Sequence, residues 1–435
     1  MLAFVVSDTT RTMSVEVGLF FTGAGVRAKV VGDIVERLRA ALMAAFARAS
    51  RPFPRILIEA FDGEHHSCLV RAPDGGAAMF TQKLRVETQE IAAELAPLRH
   101  PDLFTMAREM GIPVMQTEGG TERHIPLGVV RGNVRSARII NKLKSDGVLD
   151  GDGKVAKVWW PTTDSDGVVR LGVEDAPHLL KRIRFALLRC VERKEKWLGH
   201  DAQVFVDIAK NAHEHSTTLT PALMAGADKQ SVSNARRTFS PSVESRLREL
   251  GEEGAADAVR VVHRWWGAVD ERGLSASERI SRARDMRSLL MGFVDMAAWC
   301  VSGSVPSQVG GLSIETFEGL LAHCGAMELL AEDSEVGGSF NVRSLSTDDL
   351  ETLFSMTEAM FGRPTVLQAM QWWRIVCLEK EKRLDPHLPY SYWTTNVGRK
   401  RKSREDARLE AEGESGGVKQ ARLGPREFHR DSGRL

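Results

Sequence analysis

Between residues 31 and 48 the sequence VGDIVERLRAALMAAFAR places Ile34, Val35, Leu38, Leu42 and Phe46 at helical spacing, and the prolines of RPFP then end the helix. The period changes at once. RILIEAFDGEHHSCLVRAPDGGAAMFTQKL reads as three short strands, the last two joined by a Pro-Asp-Gly-Gly turn. A helix is predicted from about 87 to 111, a strand at 124–130 (HIPLGVV) and a further helix over RSARIINKL. DGVLDGDGK reads as a turn and VVRLGVE (168–174) as another strand, after which Pro177 opens a long helix reaching about Lys196.

Three meandering strands, helix, strand, helix, strand, helix is the element order of an RNase H-like α/β core, a mixed sheet with helices on both faces. Residues 200–340 read as helical nearly throughout: SPSVESRLRELG, ADAVRVVHRWWGAVD and RDMRSLLMGFVDMAAWCV each carry apolar residues at i, i+3 and i+4. This predicts a large all-α insertion interrupting the core. The expected organisation is an N-terminal extension and helix (1–50), the first part of the core (51–199), the insertion (200–340), helices completing the core (341–396) and a disordered charged tail (397–435).

Composition narrows the function classes without choosing among them. A chain of 435 residues, 43% hydrophobic and 27% charged, describes a globular protein, and a formal net charge of +1 demands no polyanionic partner. The five cysteines form no CxxC pair and no cluster of zinc-finger spacing, as expected of reduced thiols inside a cell. The first residues lack the basic start and apolar core of a signal peptide, and no run approaches a membrane span, so neither export nor membrane insertion is expected. RKRK (399–402) reads either as a nuclear-localisation patch or as a solvated charge run, leaving nuclear and cytoplasmic locations open.

Three places could carry chemistry. Asp62 ends the apolar run ILIEAF, where a strand would emerge at its carboxyl end; it could bind Mg²⁺ there, or serve only as the Asp-Gly of a turn. In EDAPHLLKRIRFALLRCVERKEK (174–196), Asp175 follows a strand, and Leu179, Leu180, Ile183, Leu187 and Val191 form a buried stripe. Lys181, Arg182, Arg189, Arg193 and Lys196 are candidates to meet a phosphate backbone, against the plainer alternative of a solvated face with ion pairs. In STDDLETLF (346–354), Ser346 and Asp349 fit a capping box, and Asp348 and Glu351 share a face three residues apart.

Taken together, four segments in this order resemble the P-element transposase family over about residues 30–375: AFDGE, DAPHLLKRIR, DKQSVSNARRTFSPSVESRL and STDDLETLFSMTEAMFGRPTVLQ. The resemblance implies Asp62 as the first metal-binding carboxylate and Glu351 as the third, with Asp348 beside it. It also implies two Mg²⁺ ions, cleavage and strand transfer of double-stranded DNA, and a homo-oligomer as one assembly to consider. The expected second carboxylate falls near LGVVRGNVRSARIINKL, which puts Arg131 at or beside its seat; Asp175, beyond another predicted strand, is the reserve. In the family the insertion binds GTP, but here Ser231 stands where a lysine is expected just ahead of Val232, and His263 and Gly267 stand where an Asn and an Asp are expected around Trp265 and Trp266, which argues against GTP. The family's zinc finger has no counterpart in the cysteine pattern. A P-element-like transposase or domesticated derivative is therefore the first expectation, and a catalytically dead DNA-binding or assembly protein on the same fold is the alternative.

Overall fold

The computed structural model describes residues 2–7, 14–20, 28–50, 56–61, 79–118, 121–163, 167–211, 217–271 and 273–332, with side chains described from Glu36 onward except in 56–61 and at Thr162. The described residues are mostly helical, with small sheets. The chain begins with an antiparallel hairpin, β1 (Leu2–Ser7) and β2 (Ser14–Phe20), which the hydrophobic pattern did not announce. Helix α1 (Ala28–Arg48) follows, close to its expected span.

Strand β3 (Ile56–Phe61) is the expected ILIEAF run. After it come α2 (Phe80–Leu95), α3 (His100–Glu109), an exposed hairpin of β4 (Met115–Glu118) and β5 (Thr121–His124), and α4 (Leu127–Ser145). Here the structure corrects the sequence reading twice. The helix expected over 87–111 is two helices, separated near Pro97 and Pro101, and the first begins at Phe80, inside the third expected strand. Buried Phe80, Leu84, Ile91 and Leu95 keep a helical period across that start.

The expected strand at 124–130 is also replaced. Pro126 sits at the N-cap of α4, and Val130, Val134, Ile139 and Leu143 form its buried stripe. LGVV is a short apolar run, which periodicity alone cannot divide between strand and helix. The helical stripe continuing beyond it decides the outcome.

The central sheet is small and mixed. β6 (Thr162–Thr163) runs antiparallel to β7 (Val169–Glu174), and β3 runs parallel to β7 on its other side, giving the order β3-β7-β6. The β3–β7 register runs from Ile56 opposite Val169 to Phe61 opposite Glu174. An ion pair of 2.6 Å from Glu36 of α1 to the buried Arg170 of β7 ties the first helix to this sheet. Helix α5 (Ala176–Arg193) leaves β7 through Pro177, as expected.

The expected helical region then unfolds in order: a two-residue ladder of β8 (Lys196–Trp197) and β9 (His200–Asp201), followed by α6 (Gln203–Lys210), α7 (Pro221–Met224), α8 (Val232–Thr238), α9 (Pro241–Glu249), α10 (Glu253–Asp270), α11 (Ala276–Met291) and α12 (Met296–Ser302). A second tiny ladder, β10 (Gln308–Val309) with β11 (Leu312–Ser313), leads into α13 (Ile314–Glu332). Helix α13 packs on α11, on β7 and on α5. It is buried on all sides, with Phe317, Leu320, Leu321, Cys324, Met327 and Leu330 at the centre of the core.

Glycine inside α13 has a packing reason. A Cβ at Gly319 would stand 2.3 Å from Glu174 Oε2, and one at Gly325 would stand 2.5 Å from Trp159. The helix therefore accepts glycine's backbone cost of about 1 kcal/mol to let the end of β7 and an indole approach its axis.

Arg184 does comparable work on the other side of α5. It is 1% exposed, and its guanidinium donates to the carbonyls of Leu223 (2.9 Å), Ala227 (3.1 Å) and Asp228 (3.2 Å). Three carbonyls converge because the turn after α7 takes positive φ at Gly226 and Asp228. Hydrogen bonds to a charged group contribute roughly 1.5–3 kcal/mol, so this contact fixes the helical region to α5.

Candidate functional site

The carboxyl ends of β3 and β7 lie side by side, because parallel pairing in register sets Phe61 next to Glu174. In open α/β sheets this is the edge where ligands bind. The residue that follows β7 is Asp175, the N-cap of α5, and Ala176-Pro177 turns the chain directly into the helix. Asp175 does not cap the helix with its side chain. Its Oδ2 instead lies 2.8 Å from Nδ1 of His178. An Nδ1–H of His178 donating to the carboxylate is the arrangement this contact suits.

Glu174 and Asp175 are consecutive and both are 0% exposed. Two anions without water require countercharge. Arg182 supplies it for Glu174, with Nη1 2.6 Å from Oε1. Asp175, His178 and Arg182 fall at i, i+3 and i+7, one stripe of α5. The His178 and Arg182 side chains are 20% and 31% exposed, so this stripe reaches the surface while both acids lie beneath it.

Helix α13 closes the site from below. Gly319 lies against the Glu174 carboxylate, and His323, one turn on, is completely buried. Burial drives the His323 pKa down to about 4, and the charge of Asp175 opposes that fall only in part. The imidazole packs edge-on against Trp265 at 5.5 Å, and neither ring nitrogen has a hydrogen-bond partner among the described residues.

Asp62 directly follows β3 in the chain; it lies outside the described residues, as do Asp348 and Glu351. Among the described residues, no group of three or more His, Cys, Asp or Glu side chains could hold a metal ion. The edge itself offers two carboxylates, the hard oxygen donors that Mg²⁺ prefers. Arg131 is not at a strand end. It sits in the second turn of α4, where Nη2 donates to the carbonyl of Leu98 at 3.1 Å, between α2 and α3. The strand on which its expected place depended is a helix.

The cations expected along α5 have separate destinations. Lys181 is 9% exposed, Arg182 pairs with Glu174, Arg189 Nη2 donates to the carbonyl of Gly311 at 2.6 Å, and Arg193 is exposed in the last turn. The positions compared with a GTP site have structural duties. Ser231 caps α8 through the Asn234 N–H, Gly267 lies against the Arg282 guanidinium, burial lowers the His263 pKa, and Trp265 and Trp266 are core residues.

Glu174, Arg184, Gly319 and His323 escaped the sequence reading. Two acids in succession at a strand end were a usable signal for Glu174. Nothing local marks His323 within an apolar helix.

No helix of the described residues is long and apolar enough to cross a membrane. No protein-family model and no curated protein matches the chain. Among solved structures, one neighbour is the Drosophila P element transposase strand transfer complex, at a TM-score of 0.40 and 14% identity, covering 62% of this chain and 69% of that one.

Proposed function

We propose that the chain is a P-element-like DNA transposase or a domesticated derivative, built on an RNase H-like core, with Asp62, Asp175 and Glu351 as its divalent-metal ligands. The observation that supports this reading most is the parallel register of β3 and β7. It sets Phe61 and Glu174, which Asp62 and Asp175 follow in the sequence, side by side at one sheet edge, and neighbouring strands are about 4.8 Å apart. On this reading Asp175 is the second carboxylate rather than the reserve ligand, and Arg131, inside a helix, is not at the centre. The sequence resemblance supplies the third acid and the substrate class, double-stranded DNA.

Two Mg²⁺ ions, when bound, activate a water or a 3′-hydroxyl and stabilise the leaving oxygen of a phosphodiester. The chain's own residues do the rest. Asp62, Asp175 and Glu351 would hold the ions; the His178 ring, bonded to Asp175, would fix its rotamer, and α13 would keep water from the buried side of Glu174 and Asp175. Arg193, exposed in the last turn of α5, and the partly exposed Arg182 are the residues proposed for backbone phosphates; Lys181, nearly buried, and Arg189, donating to the Gly311 carbonyl, are the weaker candidates. A nuclear location through RKRK (399–402) and assembly as a homo-oligomer belong to the same proposal.

A strand-cleavage assay on duplex DNA in Mg²⁺ or Mn²⁺ tests the reading. Cleavage by the wild-type chain should vanish in Asp62→Asn and in Glu351→Gln. Cleavage that persists in both variants would remove the carboxylate centre, and DNA binding without any cleavage would favour the non-catalytic alternative.

A further inference from the structure

We propose that the outer line of α5 centred on Phe185 binds an unpaired DNA strand, with the phenyl ring stacked on a base and with Lys229 and Arg193 on phosphates. This deepens the DNA part of the reading above and makes no use of the metal centre.

Phe185 is 39% exposed, and it is the only exposed Phe or Trp among the residues whose side chains are described. Its place on the helix turns it outward. Arg182, Phe185, Arg189 and Arg193 fall at successive turns of α5, on the side away from the buried Leu179, Ile183, Leu187 and Cys190. The line is therefore basic, with one aromatic ring in it. The acid on the same side is Glu192, beside Arg193.

A further cation reaches the ring from another segment. Lys229 Nζ stands 5.2 Å from the centre of the Phe185 ring, within the range of a cation–π contact. Two features place it there. Arg184, next to Phe185 in the sequence, donates to the carbonyls of Leu223, Ala227 and Asp228 and so fixes the turn that carries the lysine. Gly226, at a φ of +86°, leaves room for the lysine stem, since a Cβ there would stand 2.8 Å from Lys229 Cε.

Duplex DNA offers phosphates but keeps its base faces inside the stack, so a phenyl ring on a helix surface gains nothing from it. An unpaired strand offers both. Base-on-aromatic stacking beside cations is the means by which proteins hold single strands without reading their sequence. Lys229 is exposed on a flexible stem, so its ammonium can pass from the ring to a phosphate as a base takes the ring face. Arg193 is exposed as well, about 12 Å farther along the helix axis. Arg182, paired with Glu174, and Arg189, bound to the Gly311 carbonyl, add positive potential along the same line.

The test is the affinity of the full chain, in EDTA, for a labelled oligothymidylate of about 20 nucleotides and for a duplex of the same length, since a single-strand site takes about 4–16 nucleotides. Phe185→Ala should weaken single-strand binding at least about fivefold, the lower end of what one stacked base contributes, and leave duplex binding unchanged. Phe185→Trp should keep the affinity. An abasic strand of the same length should bind wild type and Phe185→Ala alike. Lys229→Met should lower the slope of log K against log salt by about 0.7, one phosphate contact on a single strand, whereas Phe185→Ala leaves the slope where it is.

Equal single-strand affinity for wild type and folded Phe185→Ala overturns the inference, as does a loss that is just as large on the abasic strand. The wild-type chain covers the case in which Phe185→Ala fails to fold: it should bind the abasic strand at least about fivefold more weakly than the oligothymidylate, and equal binding overturns the stacking. The two levels of the account fail separately. Carboxylate-dependent cleavage of duplex DNA with no effect of Phe185 on single strands sinks this inference alone. A Phe185-dependent hold on single strands, in a chain that never cleaves, sinks the nuclease reading and leaves this one standing.

Discussion

Asp175→Asn is expected to lower divalent-dependent DNA cleavage by at least about a hundredfold, while Arg131→Ala leaves it unchanged. Even residues that merely orient a metal ligand cost about 10–100-fold when lost, and a ligand itself costs no less. Asparagine keeps the shape and the bond to His178, so the fold survives and the loss reports the missing charge. Asp175 directly follows the strand that pairs in parallel with β3, and its carboxyl group is buried beneath the His178–Arg182 stripe. Arg131 serves a carbonyl of the α2–α3 connection, so its truncation costs about 1 kcal/mol of stability and no chemistry. A chain in which Arg131→Ala alters cleavage while Asp175→Asn does not would reverse the assignment. Cleavage rates of the two purified variants, measured at saturating Mg²⁺, decide it.

The second large effect is on stability in acid. His323 is neutral in the folded protein near pH 7 because burial lowers its pKa to about 4 from the usual histidine value of about 6.5. The unfolded chain binds that proton more readily, so unfolding takes up protons across this interval. Its contribution is fully present above about pH 6.5 and is lost as pH falls through about 4. The size of the shift corresponds to about 3 kcal/mol at that lower limit. His323→Leu should abolish this component. Leucine gives up no hydrogen bond formed by the ring among the described residues and loses only the edge-on contact with Trp265, so above pH 7 the two proteins should agree to within about 1 kcal/mol. Urea midpoints measured from pH 7 to 4 give both curves. Parallel curves would show that some other group controls the acid limb. Asp146 and Asp257, whose pKa values are lowered by Lys83 and Arg248, lose their contributions in both proteins alike and cancel in the difference.

How much of this could be read from the chain depends on how local each determinant is. Helix α5 was legible because Pro177 marks its start and Leu179, Leu180, Ile183 and Leu187 keep a helical stripe, all four of them buried. Strands β3 and β7 were legible as apolar runs bounded by polar turns. Their partnership was not, because 113 residue positions separate the paired Ile56 and Val169 and no local signal spans that distance.

That gap bears on where a second carboxylate is proposed. With HIPLGVV taken as a strand, Arg131 stood at its end; with the helix in its place, the strand beside β3 is β7, which ends at Glu174 and is followed directly by Asp175. The fates of Lys181 and Arg184 were hidden for a related reason. Both count as polar positions on an amphipathic helix, yet in the fold Arg184 is covered by the turn after α7 and Lys181 is nearly buried. A basic helix face in sequence is thus partly an internal fastening in structure. The acidic turn at 346–354, which gave the clearest likeness to the family's last carboxylate, lies outside the described residues.

The central claim is that acids far apart in the chain share divalent metal at the carboxyl edge of β3 and β7. Anomalous diffraction from crystals soaked in Mn²⁺ tests it most directly. The account predicts a manganese peak within coordination distance, about 2.0–2.3 Å, of carboxylate oxygens from Asp62, Asp175 and Glu351. A peak bound elsewhere, with the Asp62 and Glu351 side chains on different faces of the protein, would contradict it.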